Sequence, residues 1–325
     1  MTFPIPRRRW ALTLLALVAL IPAARAQDYP SKPIRLILTS TPGSLVDTVG
    51  RLLGAGLGAR LGKVVVVENR VGAATQIGFE AAARSPADGY TLLLGSLEMA
   101  LLPSTKKKLS FDPIKDFAPV ARAVTSWTVY AINPKLPINT LAELVTYAKA
   151  HPGEIRYGSN GIGGTLHMAA DLLQMRTGIK LVHVPYKGGA QAVADVIAGQ
   201  IEMGSLGIAS SASRPPEQLR ILAQTGPTRH PAIPRVPTTA ELGLPDVGVG
   251  TWFGLLAPAG TPPAIVARLG RETAVVLEPQ PLRDKLAAMG CEAAWLSPEA
   301  FGAFIAEESA RWARVLPSMG ILPED

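Results

Sequence analysis

The sequence predicts an α/β protein of two lobes, each built on a parallel-rich sheet and joined by a double-stranded hinge. Three observations carry this. Apolar runs of strand length alternate with helical patterns in two separate series, a late strand returns after the second series, and the chain is longer than one core can keep growing. The clearest unit is residues 64–94, VVVVENRVGAATQIGFEAAARSPADGYTLLL. Its four valines suit a strand buried on both faces, and residues 91–94 form a second strand. A helix between them starts at Ala74 or Thr75, runs through residues 81–83, and is ended by Pro86 and the Asp88-Gly89 turn.

In chain order, residues 34–39 are the first strand, and a loop at 40–44 feeds a helix over 45–61. Ser44 and Asp47 have capping-box spacing, while Gly54, Gly56 and Gly58 each weaken that helix by about 1 kcal/mol relative to alanine. Residues 111–120 lead towards a strand at 128–132. The second series then opens with Thr140 and Glu143, which cap a helix stopped by Pro152-Gly153. Strands follow at 155–157, 181–184, 202–206 and 219–224, with helices at 166–176 and 190–198 between them. Residues 252–257 form the returning strand. Thr261-Pro262 then starts a long helix, residues 281–289 form another, and Ser297-Pro298 caps a third ending near Leu316. The chain crosses between lobes near Trp127 and again near Trp252, so residues 27–126 with 253–325 make one lobe and 127–252 the other.

The first 26 residues read as an address. Arg7, Arg8 and Arg9 precede a short apolar stretch at 10–21 and an Ala24-Arg25-Ala26 site, the pattern of a signal peptide cleaved before Gln27. The apolar stretch is shorter than the roughly 20 residues that span a bilayer. Without this segment the formal charge drops from +7 by four arginines to +3, and the Lys106-Lys107-Lys108 run has no interleaved aromatics, so nucleic acid is not an expected partner. Cys291 is the one cysteine, which excludes an internal disulfide and, so far from the cleavage site, a lipid anchor; a buried or half-buried thiol is expected.

Catalytic patterns are missing. G-x-S-x-G does not occur, the glycines at 161, 163 and 164 do not continue as G-x-G-x-x-G, and there is no G-x-x-x-x-G-K-[ST]. His151, His167, His183 and His230 are the only imidazoles, and none has a second histidine or cysteine at helical metal-site spacing. No metal and no cofactor are expected. His167 either touches a ligand or is a packed helix-start residue, and His183 reads as core or as support behind a loop.

Four loops of small and hydroxylated residues each follow a strand and precede a helix. Thr41, Gly43 and Ser44 lie in or beside the first; Ala73, Ala74, Thr75 and Gln76 in the second; Ser159, Gly163, Gly164 and Thr165 in the third; Tyr186, Lys187 and Gly188 in the fourth. Loops in this position gather at the carboxyl ends of the strands, where free N–H groups and helix dipoles favour an anion. Asp47 either caps its own helix or reaches the ligand.

In ENR-x-GA-x-x-x-x-G followed by P-x-DGYTL, the chain resembles the Bug family, the substrate-binding proteins of tripartite tricarboxylate transporters. The resemblance continues through TPG-x-x-x-D from Thr41 to Asp47, YGSNGIGGTLH from Tyr157 to His167, HVPYKGG from His183 to Gly189, VPTTAELGLP from Val236 and LLAPAGTP from Leu255. It implies a periplasmic-binding-protein-like (type II, Venus flytrap) fold, a periplasmic location, and a small carboxylate held between the lobes. It also implies as partners the permease subunits of a membrane transporter or, alternatively, a signalling receptor, with the chain a monomer and not an enzyme; a periplasmic hydrolase or isomerase is the weaker third reading. This chain departs from the family pattern at Gly43-Ser44, at residues 72–76, and at Ser205-Leu206, where the family has Phe-Asp. Because the candidate loops hold no Asp or Glu and Leu206 replaces an acid, the expected ligand carries one or more carboxylates and no free ammonium, with an apolar or hydroxylated body against Leu206.

Overall fold

The computed structural model describes residues 29–323 apart from 74, 162, 163 and 187, so the expected leader lies outside the described residues. The first series is β1 (Ile34–Leu38), α1 (Leu45–Leu61), β2 (Val65–Asn69), α2 (Gln76–Ala83), β3 (Thr91–Ser96) and α3 (Leu97–Thr105). A long strand, β4 (Phe117–Ile132), leads to α4 (Leu141–Ala150), β5 (Arg156–Ser159), α5 (Thr165–Thr177), β6 (Val182–Pro185), α6 (Gly189–Ala198), β7 (Met203–Gly207), α7 (Ile208–Ala212) and β8 (Arg220–Gln224). The return is β9 (Gly250–Pro258), followed by α8 (Pro263–Val276), α9 (Gln280–Ala288), β10 (Cys291–Leu296) and α10 (Pro298–Ser318).

The strands run in the order β2-β1-β3-β9-β4-β7-β5-β6, with β10 and β8 also paired to β4. The outer parts are parallel, as β1 with β2 and β3, and as β5 with β6 and β7. The centre is antiparallel throughout, because every partner of β4 runs against it. Its first half pairs with β9 as far as Trp127 opposite Gly250, and with β10 as far as Ser126 opposite Cys291. Its second half pairs with β7 and β8, starting at Thr128 opposite Gly207. One strand is therefore shared by two sheets, and the chain passes from one to the other within a single residue of Trp127.

Two expectations are corrected by this arrangement, and one is met. The valine run was expected to be buried on both faces, but β2 ends the strand order and leaves Val64 and Val66 exposed at 65% and 51%. The irregular lead-in before residue 128 is strand from Phe117 onward; register shifts between Pro119 and Ala121 and between Arg122 and Val124 let it absorb a proline and a half-buried arginine. Cys291 is buried, as expected, in β10 on the edge of the first sheet, and burial pushes its thiol up to about 12.

One apolar cluster runs through both halves of β4. It joins Phe79, Phe117 and Trp252 on one side to Tyr130, Met168 and Met203 on the other. Tyr130, fully buried, donates its hydroxyl to the Ala169 carbonyl at 2.6 Å, so its polar end is satisfied on α5. The C-terminal helix α10 packs across this region: Phe301 meets Trp252 edge to face at 5.3 Å, and Arg311 donates to the Gly248 carbonyl at 2.6 Å. Residue 248 immediately precedes the second crossing, which α10 thereby fastens.

Candidate ligand-binding cleft

Where the two sheets meet there is a cleft of about 810 Å³. Gly43, Ser44, Leu45 and Met289 form its first wall, and Ser126, Trp127, Thr128 and Thr251 form the floor. The opposite wall is Asn160, Thr165 and Leu166 at the start of α5, Gly188, Gly189 and Ala190 at the start of α6, and the β7–α7 turn from Gly207 to Ser210. Among the described residues no ionisable side chain lines it.

The floor is stitched across the hinge. Thr128 and Thr225 share a hydroxyl contact at 2.9 Å, and Thr225 Oγ1 donates to the Val249 carbonyl at 2.7 Å. Beside them the Trp127 indole stands between two glycines. A Cβ at Gly226 would come within 3.1 Å of the ring, and one at Gly250 would collide with it. The walls also touch directly, because Gly290, at φ +68°, lies so close to Ala209 that an added Cβ would be 2.5 Å from the Ala209 nitrogen. Ser126 Oγ holds that turn by donating to the Gly290 carbonyl at 2.8 Å.

The helix ends facing the cleft are not alike. At α1 the Ser44 hydroxyl accepts from the Asp47 N–H, and one Asp47 oxygen accepts from the Gly43 N–H at 2.9 Å. The same carboxylate pairs with Arg51 at 2.9 Å and accepts from Asn69 at 2.8 Å. These bonds, led by Arg51 and then Gly43, hold Asp47 at about 2, below the ordinary 3.8. Asp47 is thus a buried helix cap, one of the two roles its spacing allowed. At α5 the Asn160 side chain accepts from the Leu166 N–H at 3.3 Å. At α6 no side chain caps the helix and no acid stands in its first turn.

Of the residues singled out from the sequence, the structure brings Gly43, Ser44, Thr165 and Gly188 together in the cleft, while Ala74, Gly163 and Lys187 lie outside the described residues. Thr41 is exposed on the loop, and Ala73, Thr75 and Gln76 are not in the lining. Ala73 and Thr75 instead hold positive φ values of 45° and 76°, which few side chains adopt. Tyr186 donates its hydroxyl to Asp195 at 2.6 Å, and burial with that carboxylate raises it to about 12. The placement of Ser205 and Leu206 against a ligand is corrected: both are fully buried, and Leu206 packs with Val129, Ala131 and Val196. The alternation of β7 turns consecutive side chains to opposite faces of the sheet, and here both faces are covered.

Ser159, Gly164, His167 and His183 act behind the third loop. The buried Ser159 hydroxyl meets His183 Nε2 at 2.7 Å and accepts from the Gly161 N–H at 3.1 Å. His183 is stacked on Tyr157 at 4.9 Å and meets the tilted His167 ring at 4.2 Å, while His167 lies 3.3 Å from Asp171. Burial first, and the neighbouring His167 second, lower the pKa of His183. Gly164 leaves room for Asn160, whose side-chain oxygen would be struck by a Cβ there. The sequence reading did not name Asn160, Trp127, Thr128, Thr251 or Met289 as site residues. Trp127 was nonetheless marked as a crossing, and a crossing lies by topology at the base of the cleft between lobes.

No group of three or more His, Cys, Asp or Glu among the described residues could hold a metal ion, and no described helix is long and apolar enough to cross a membrane.

The family model described as "Tripartite tricarboxylate transporter family receptor" matches residues 49–321. Protein BugT of Bordetella pertussis is 36% identical over 302 residues, covering 91% of each chain. Among solved structures, R. palustris Rpa4515 with adipate aligns with a TM-score of 0.76 at 31% identity, covering 91% of this chain and 100% of that one. MatC from Rhodopseudomonas palustris with bound malate aligns at 0.69 and 28% identity, covering 91% and 100%. The two-lobed α/β architecture is that of these periplasmic binding proteins, and the chain belongs to the tripartite tricarboxylate transporter receptor family, the Bug proteins.

Proposed function

We propose that this protein is a periplasmic solute receptor that captures a small carboxylate in the cleft over Trp127 and presents it to the membrane subunits of a tripartite transporter. The observation that carries this reading is the cleft itself, which combines uncapped N–H groups at the start of α6 with hydroxyl and amide groups from both walls. Hydrogen bonds to an ionised acceptor contribute about 1.5–3 kcal/mol each, and a helix N-terminus favours negative charge. The carboxylate-bound relatives described above support the same ligand class.

On this reading the chain works as a monomer and binds without turning its ligand over. The leader at residues 1–26 is removed on export, and residues 27–126 with 253–325 close against residues 127–252 about the hinge. Native mass spectrometry of the purified receptor tests ligand class and chemistry together. A bound carboxylate whose mass is unchanged after incubation is expected. Conversion of that ligand would establish an enzyme, and a bound cation or neutral sugar would remove the carboxylate reading.

A further inference from the structure

Resting on the reading of this cleft as a carboxylate site, we propose that it selects monocarboxylates with an apolar chain or ring over di- and tricarboxylates. The acid group is bound towards α6, the body lies against Trp127, Leu45 and Met289, and Asp47 withholds the opposite helix end from a second acid.

The two walls differ in what remains available. Gly43 and Ser44 reach the cleft from the α1 side, but the Gly43 N–H is already committed to Asp47 Oδ2 at 2.9 Å and the Asp47 N–H to Ser44 Oγ at 3.2 Å. The Asp47 carboxylate sits in the first turn of α1 and offsets the positive end of that helix, and Arg51 and Asn69 hold it there. A second ligand carboxylate directed at this wall would come up against the ionised Asp47, which already holds the Gly43 N–H and offsets the dipole of the helix end. Being desolvated and unpaired, it would bind unfavourably. In the middle of the cleft the Ser126 hydroxyl is given to the Gly290 carbonyl and the Thr128 hydroxyl lies against Thr225 and the Val249 carbonyl, while the half-buried Trp127 ring stands in its slot between Gly226 and Gly250, with Leu45 and Met289 on the adjoining wall. An apolar surface of this kind loses water favourably to a hydrocarbon chain or an aromatic ring.

Hexanoate and adipate make the matched test, because they share a six-carbon chain and differ by one carboxylate. Titration calorimetry of the ligand-stripped mature protein is expected to give hexanoate and phenylacetate affinities at least about tenfold above adipate, malate and citrate. Trp127→Ala should weaken hexanoate and phenylacetate by about tenfold, with Trp127→Phe recovering most of it and thermal melting reporting whether each variant is folded. Asp47→Asn should narrow the hexanoate-to-adipate ratio by about threefold or more, a change that a general loss of stability would not produce. Adipate binding as tightly as hexanoate to the native protein would overturn the inference and leave the carboxylate reading intact. Failure of every acid on the panel, with binding of a neutral or cationic solute instead, would overturn both.

Discussion

Two helices begin at the rim of the same cleft, and their first turns are built in opposite ways. α1 starts at Ser44 and closes on itself, with Asp47 consuming the Gly43 N–H and being consumed in turn by Arg51 and Asn69. α6 starts at Gly188, in an extended conformation with φ −173°, and no side chain answers its N–H groups. Both loops are short and end on a small residue, Ser44 in one and Gly188 in the other. What separates them is the Ser44 hydroxyl at the cap and one acid three residues further on, which together convert an anion seat into a structural cap. Small residues at a strand-to-helix turn therefore mark a place where an anion could sit, and the first turn of the helix decides whether it does.

The most disruptive way to erase this difference is to put a capping acid at the start of α6. Gly188 has open space where a Cβ would go, and its φ is one that any residue adopts. Gly188→Asp should therefore fold, gain a few tenths of a kcal/mol of helix stability, and lower carboxylate affinity about 100-fold. Gly188→Ser, which caps without charge, should lose less than Gly188→Asp, and calorimetry on the pair separates charge from occupancy.

The converse experiment opens α1. Asp47→Asn removes charge-assisted bonds and should cost about 2 kcal/mol in urea unfolding at pH 7. The effect carries a pH signature. Because the folded protein holds Asp47 at about 2 against an ordinary 3.8, its contribution is fully present above about pH 4 and disappears as the pH falls through about 2. Native and variant stabilities should converge over that window, and a gap that persists at pH 2 would point to lost packing.

A smaller effect concerns how close the two walls come. Gly290→Ala places a methyl against the Ala209 backbone and forces a side chain onto a positive φ. About 1 kcal/mol of destabilisation is expected, with a larger ligand-bound radius of gyration in solution scattering than the native protein has. An unchanged bound radius would mean that the walls pivot elsewhere. The gentlest probe is optical. Trp252 and Trp312 are fully buried and the Trp295 indole is tied to the Gly270 carbonyl, so a ligand-dependent fluorescence change should come from Trp127 and vanish in Trp127→Phe.

Much of this arrangement was legible in the residues. The βαβ unit from the valine run to residue 94, the caps at Ser44 and Thr140, and the helix stop at Gly178 all appear where local chemistry put them. Local chemistry could not find β10, because CEAAWL lacks the β-branched run that marks a strand and is held in place by β4. α3 was hidden by Pro103 inside LEMALLPST. The length of β4 was masked by Pro119 and Arg122, which only its bulges accommodate. In the site, loop composition identified Gly43, Ser44, Thr165 and Gly188, but could not tell that Tyr186 turns to Asp195 or that Leu206 faces the core. Those outcomes depend on which surface a neighbouring helix covers, and that is set by contacts distant in sequence.

The shared strand also limits how this protein can be taken apart. Residues 117–127 complete one sheet and residues 128–132 the other, with a single apolar cluster running past the join. Cutting the gene at the hinge would leave each fragment with half a strand, a bare row of ladder groups and part of an exposed core, which is the surface that drives aggregation. A split receptor, or a chimera that exchanges one lobe for a relative's, would have to cut in the loops flanking β4 and give each half a complete copy of Phe117–Ile132.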